Sequence, residues 1–441
     1  MLPGGRSFVR KTTPYILMLA LAGLAVPACT DDGGPAEPSV RPAVSPTASF
    51  SSAAGSRVIP GSYIVVFKAG VSDVPGLAHR LVDAGGGKLQ FTYTAALPGF
   101  AAADLPEQAV EALRRNPNVA YVEPDGVVEH FGRGTQPAPP APWGLDRVDQ
   151  RTLPLSASYT WGTSGTGVHV YIIDTGIRTT HQDFGGRATW AFSSVKGKDG
   201  NLDTDCNGHG THVAGTVGGT MYGVAKEVQL YAVRVLDCSG SGTWSGVIAG
   251  IDWVTANHRS PAVANMSLGG SYTQSVNDAV AASIASGVVY AVAAGNSATD
   301  ACTFSPASAP SALTVGAISK TDARSSYSNI GGCVDLFAPG TFILSDYYRS
   351  DTDAVYLSGT SMASPHLAGA AALYLETHPN ASPATVASDL LAAATKDRVS
   401  DAGPGSPNLV LFTGDSTASQ TPPSDGGGSC VPSKPWSKNC K

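Results

Sequence analysis

The sequence predicts an α/β protein: a parallel sheet covered by helices on both faces, preceded by a small ferredoxin-like α+β domain. Three observations predict it. Beyond about residue 165, short continuous apolar runs alternate with stretches of helical periodicity, the pattern of strands buried on both faces. Residues 58–130 read β-α-β-β-α-β, which matches a split βαβ unit. TQPAPPAP (135–142), a proline-rich linker, separates the two regions.

In chain order, Arg6, Arg10 and Lys11 precede YILMLALAGLAV (15–26), an apolar stretch too short to span a bilayer, closed by VPAC (26–29). Residues 1–28 are therefore expected to be a secretory signal. Two fates then stay open. Cleavage after Ala28 releases the chain, or Cys29 is lipidated, since VPAC is similar to a bacterial lipoprotein signal. Residues 29–57, rich in Pro, Ser, Ala and Gly, read as a disordered linker.

In the small domain, SYIVVFK (62–68) is a strand and LAHRLVDAGG (77–86) a helix with a glycine stop. KLQFTYT (88–94) and FAAADL (100–105) are strands around a Pro98-Gly99 turn. PEQAVEALRRNP (106–117) is an amphipathic helix opened by Pro106, and NVAYVEPD (118–125) closes the unit. Residues 131–142 form the linker and hold the expected maturation site. In the main domain (143–413), GVHVYIIDTG (167–176), VQLYAVRVLD (228–237), AVANMSLGG (262–270), VVYAVAAGN (288–296) and ALTVGAI (312–318) are buried strands. VIAGIDWVTANH (247–258) is helical, and the run after Ser361 predicts a buried helix at about 361–376. Residues 414–441 form a Ser/Pro/Gly-rich tail.

The chain has 441 residues with a formal net charge of −6 and no long basic run, which argues against a nucleic-acid partner. Seven cysteines are present. With Cys29 set aside, proximity pairs Cys206 with Cys238, Cys302 with Cys333, and Cys430 with Cys440; free buried thiols are the alternative. Each of the first two bridges would contribute about 3.7 kcal/mol in the chain-entropy picture. No Cys-x-x-Cys spacing suggests zinc.

Reactive side chains gather where strands of an open α/β sheet end. Asp174 closes IIDTG, His209 heads the glycine-flanked CNGHGTHVAG (206–215), and Ser361 lies in GTSMASP. Serine needs a base to take its proton, histidine supplies one, and a buried aspartate fixes the imidazole tautomer. Each piece has a plain alternative: Asp174 in an Asx turn, His209 as a satisfied loop histidine, Ser361 as an ordinary N-cap. His212 is expected to be a satisfied loop histidine. No second D-[ST]-G occurs, so an aspartic-protease pair is excluded.

DTGI, GHGTHVAG, NMSLGG, AAGN and GTSMASPH together resemble the subtilase family, subtilisin-like serine proteases. APWGLDR (141–147), the cysteine placement and FAPG (337–340) resemble the proteinase K-like branch, which includes aqualysin. The small domain resembles the inhibitor-like propeptide of the same family. The resemblance implies a subtilisin-like fold. It makes Asp174, His209 and Ser361 the orienting acid, the base and the nucleophile. Asn296 and the Ser361 backbone N–H would form an oxyanion hole. It further implies that Ser267, Leu268, Gly269 and Gly270 face Gly240, Ser241 and Gly242 across a substrate cleft. Ala293, Ala294 and Gly295 would floor a pocket without charge, giving broad cleavage after apolar or aromatic residues.

Structural Ca2+ is implied at two sites. Asp146, Asp149, Gln150, Ser156 and Ser158 would form one; Asp335 with the carbonyls of Pro310 and Ala312 would form the other. The expected protein is a secreted serine endopeptidase, monomeric and autoprocessed from a precursor. It acts on protein and peptide substrates, with its own propeptide as inhibitor. It meets a membrane only if Cys29 is lipidated. The rival expectation is a non-catalytic binding protein on the same scaffold.

Overall fold

The computed structural model describes residues 57–130, 133–134, 142–196 and 204–414. The expected signal, Cys29, the first linker, most of the second and the tail with Cys430 and Cys440 lie outside the described residues.

The large sheet has nine strands among the described residues. Their order is Thr395–Lys396, Leu409–Val410, Leu336–Pro339, Leu313–Ile318, Val288–Ala293, Ala262–Met266, His169–Asp174, Gln229–Arg234, Ala188–Ser193. All neighbours run parallel except the first pair. Alternation along His169–Asp174 explains why helices cover both faces. Val170 and Ile172 join the core with Val213 and Val217 of helix His209–Gly218 and Leu367 and Ala371 of helix Thr360–Thr377. Tyr171 and Ile173 join the opposite core with Ile251 of helix Trp244–Asn257 and Val276 of helix Gln274–Ala285. After His169–Asp174 the chain builds one side of the sheet, then crosses to the other. Asp174 therefore emerges where strand order switches, the usual place for a crevice.

The small domain is an antiparallel sheet ordered Val119–His130, Val58–Phe67, Gly99–Ala103, Lys88–Tyr93. Helices Val74–Gly85 and Glu107–Arg114 cover one face, with Val65, Phe100, Val82 and Val110 buried between. The other face places Ile64, Tyr93 and Ala101 in the core shared with helix Trp244–Asn257.

Element types agree with the sequence expectation, and the boundaries differ for tertiary reasons. The closing strand runs to His130 rather than stopping at 125, because residues 127–130 pair with the main domain. AVANMSLGG splits at Ser267 into Ala262–Met266 and Leu268–Ser271. A separate antiparallel sheet joins Ile343–Asp346, Ala354–Ser358 and Arg133–Gly134.

Candidate functional site

Asp174 ends its strand fully buried, and His209 opens its helix. The residue between that helix and the preceding loop must be glycine: Gly208 has φ +104°, and a Cβ there would lie 2.4 Å from Tyr347. His209 Nδ1–H donates to Asp174 Oδ1 at 2.8 Å, and the Thr175 N–H donates to the same oxygen at 2.7 Å. His209 Nε2 is buried with no hydrogen-bond partner among the described residues. Burial holds His209 down to about 3, so its imidazole is neutral with Nε2 unprotonated. Burial pushes Asp174 upward, opposed by the nearby His130 ring and the Thr175 N–H.

His212 is corrected from a loop residue to a helical one. It lies fully buried within the helix, and its Nε2–H is shared by the carbonyls of Ile343 and Val355.

Ser361 lies in the first turn of helix Thr360–Thr377, whose N-cap is Gly359, so Ser361 is not the cap. Pro365 sits four residues on and has no N–H to offer the Ser361 carbonyl. The Ser267 hydroxyl donates to that carbonyl instead, at 2.8 Å. The Ser361 hydroxyl donates in return to the Ser267 carbonyl at 2.8 Å. Ser267 Oγ is itself held by Asn265 Nδ2–H, and Asn265 Oδ1 accepts from Ser364 Oγ. Asn265 and Ser364 stand inside NMSLGG and GTSMASPH, but neither is assigned a role from sequence. The signal for Asn265 is a polar side chain inside an apolar strand, and for Ser364 a hydroxyl inside an apolar helix.

Asn296 is oriented by its neighbours. Its Oδ1 accepts from the Thr360 N–H and Thr360 hydroxyl, each at 2.9 Å, which leaves the amide NH2 as the end turned away from Thr360. Thr360 Oγ1 also accepts from the Gly295 N–H. Ala293, Ala294 and Gly295 are all buried behind it.

The two predicted cleft edges lie on either side of one strand. Val127–Glu129 pairs with Ser241–Thr243, while Glu129 and His130 pair with Gly269 and Leu268. The His130 N–H donates to the Gly240 carbonyl at 3.1 Å. Gly240 has φ +79°, and a Cβ there would lie 2.0 Å from the His130 ring. That ring stacks on His209, centroids 4.2 Å apart. Burial, then the neighbouring His209, lowers His130 to about 3.

Three further contacts tie the small domain down. Glu123 accepts from the N–H groups of Gln274 and Ser275, which start helix Gln274–Ala285. Asp125 accepts from the Ser245 N–H and hydroxyl at the start of helix Trp244–Asn257. Carboxylates there satisfy free N–H groups and meet the positive helix end. Conversely, the Thr94, Ala95 and Ala96 N–H groups grip Asp252.

Both described disulfides form as paired: Cys206–Cys238 and Cys302–Cys333, with Cα atoms 5.0 and 5.2 Å apart. Among the described residues, no three His, Cys, Asp or Glu side chains converge to hold a metal. Asp149, Gln150, Ser156 and Ser158 nevertheless line one surface cavity, and Asp149 Oδ1 is buried without a hydrogen-bond partner while its Oδ2 accepts from the Thr160 N–H. Asp146 accepts from Ser156 and Ala157, Gln150 Oε1 accepts from Ser156, and the Ser156 and Ser158 hydroxyls bond each other. An unpartnered buried carboxylate oxygen among such donors fits a hard cation. At the second set, Asp335 Oδ2 accepts from the Thr314 N–H at 2.7 Å, two residues beyond Ala312, while Pro310 is exposed.

Comparisons with known proteins give the family. Residues 165–410 match the subtilase family model, and residues 62–130 match the peptidase inhibitor I9 model. The chain is 50% identical over 377 residues to an extracellular serine proteinase of Thermus sp. (strain Rt41A), covering 81% of this chain and 90% of that protein. It is 42% identical over 405 residues to a cuticle-degrading protease of Metarhizium anisopliae, covering 90% and 98%. A crystal structure of a cold adapted subtilisin-like serine proteinase superposes with a TM-score of 0.60 at 51% identity, covering 62% of this chain and 99% of that one. The chain thus belongs to the subtilase family of serine proteinases.

Proposed function

We propose that the protein is a secreted endopeptidase that cleaves after apolar and aromatic residues and matures by cutting its own chain. The observation that carries this reading is the strand Val127–His130. It lies as a substrate would, hydrogen-bonded to both cleft edges, with His130 against His209.

In this reading His209 Nε2 takes the Ser361 proton as Oγ attacks the scissile carbonyl. Asp174 holds the imidazole tautomer and stabilises the imidazolium that forms. The Asn296 NH2 and the Ser361 N–H receive the oxyanion. His209 then returns its proton to the leaving amine, and water hydrolyses the acyl-enzyme by the same steps. The buried Ala293–Gly295 segment carries no charge, in keeping with apolar or aromatic side chains. The maturation cut falls among the bonds linking His130 to Arg133. The strand before them occupies the acyl side, and Arg133–Gly134 pairs with Leu357–Ser358 just before Ser361. Ca2+ at Asp146, Asp149, Gln150, Ser156 and Ser158 would neutralise the paired carboxylates and stiffen that loop.

A panel of peptides varied at the residue before the cut tests this. Phe and Leu should be turned over fastest, and Ser361→Ala should abolish turnover. Preference for a charged residue, or activity surviving in Ser361→Ala, would overturn the reading.

A further inference from the structure

The Asp205 carboxylate belongs to no motif that names a catalytic role, yet it is 2% exposed and fully engaged. Its Oδ1 accepts from the N–H groups of Asn207 at 2.9 Å and Gly208 at 2.8 Å. Its Oδ2 accepts from the Thr211 N–H at 2.9 Å and the Thr211 hydroxyl at 2.7 Å. One carboxylate therefore clamps the backbone on both sides of His209. All four donors are neutral groups. Asn207 extends the clamp, its Oδ1 accepting from the His209 N–H at 3.2 Å. Cys206, the next residue, is bridged to Cys238, and Asn207 Nδ2–H donates to the Cys238 carbonyl. Cys238 leads directly into the cleft edge Gly240–Thr243.

We infer that Asp205 is a positioning residue: it fixes the backbone that carries His209, and its charge favours the imidazolium formed during the reaction. The inference rests on the protease reading above and deepens it. A helix start could be capped by many side chains at a cost in stability alone. A carboxylate beside the base has a further effect, because a buried negative charge acts on the base at short range in a weakly screening medium.

The test compares purified wild type, Ser361→Ala and Asp205→Asn, matured if necessary by a trace of wild type, on a chromogenic peptide across pH. Asp205→Asn should lose about 10- to 100-fold in kcat with little change in KM, the scale expected of a misplaced base. Its acid limb should move to lower pH, because removing a negative charge eases deprotonation of His209. A thermal scan confirms folding. If Asp205→Asn does not fold, Thr211→Val, which deletes one donor, takes its place; its kcat should fall with the acid limb unmoved. A folded variant with wild-type kcat, or Asp205→Asn with lowered kcat and an unmoved acid limb, overturns the inference and leaves the protease reading intact. An inactive wild type would sink both.

Discussion

At the scale of residues, Pro365 and Ser267 explain each other. The proline withholds an N–H from the Ser361 carbonyl, and the Ser267 hydroxyl fills the gap, tying the helix start to the cleft edge. Asn296 is likewise oriented through its Oδ1, which accepts from the Thr360 N–H and hydroxyl. If Asn296 serves the oxyanion as proposed, Asn296→Ala should lower kcat by about 100- to 1000-fold with little change in KM, because the charge it would meet appears only in the transition state. Steady-state kinetics on one peptide would check this; an equal rise in KM with kcat preserved would contradict it. Asp174, His209 and Ser361 were legible because glycine-rich turns flank each of them. Asp205 and Asn265 were not. Asn265 meets Ser364 from 99 residues away, while the partners of Asp205, within six residues of it, are backbone N–H groups and one hydroxyl that no motif singles out.

At the scale of elements, the strand Val119–His130 serves two sheets. Its first half was legible from alternation. Its second half was not, because Val127–His130 takes its hydrogen bonds from edges over a hundred residues away. Propeptide retention should depend on pH through His130. Its ordinary value is near 6.5, and in the cleft it is lowered to about 3. Binding needs the neutral ring, so this contribution is complete above about pH 6.5. Below that it declines by up to about tenfold per pH unit until the bound value is reached. Glu123 and Asp125 run the other way. Burial raises both, so the cost of holding them charged is relieved as pH falls. His130→Phe keeps the stacked ring without the titration. Activation after processing should therefore speed up on acidification more in wild type than in His130→Phe. Equal acceleration in both would show that His130 does not set the pH dependence of release.

At the scale of the whole molecule, the α/β class and the order of the two domains were legible from apolar runs and the proline-rich linker. The docking of the small domain was not, since Glu123, Asp125 and Asp252 look in sequence like ordinary surface charges. The loop Asp146–Ser158 should make stability depend on Ca2+. Without the cation, burial and the adjacent Asp146 push Asp149 up to about 6. A carboxylate raised in the folded state loses its share of stability as pH rises through that value. Calcium should reverse that loss. A chelator should thus lower Tm more at about pH 8 than at about pH 5, with recovery on adding Ca2+. A Tm indifferent to chelation at both would remove the ion from this loop.

Asp174, His209 and Ser361 are expected to cut this chain at the end of the strand Val119–His130. Intact mass and N-terminal sequencing of wild type beside Ser361→Ala test it most directly. The wild-type mature chain should begin between Phe131 and Arg133, and the Ser361→Ala chain should keep its propeptide. Two chains processed alike, or a wild type that stays joined through residues 130–134, would contradict it.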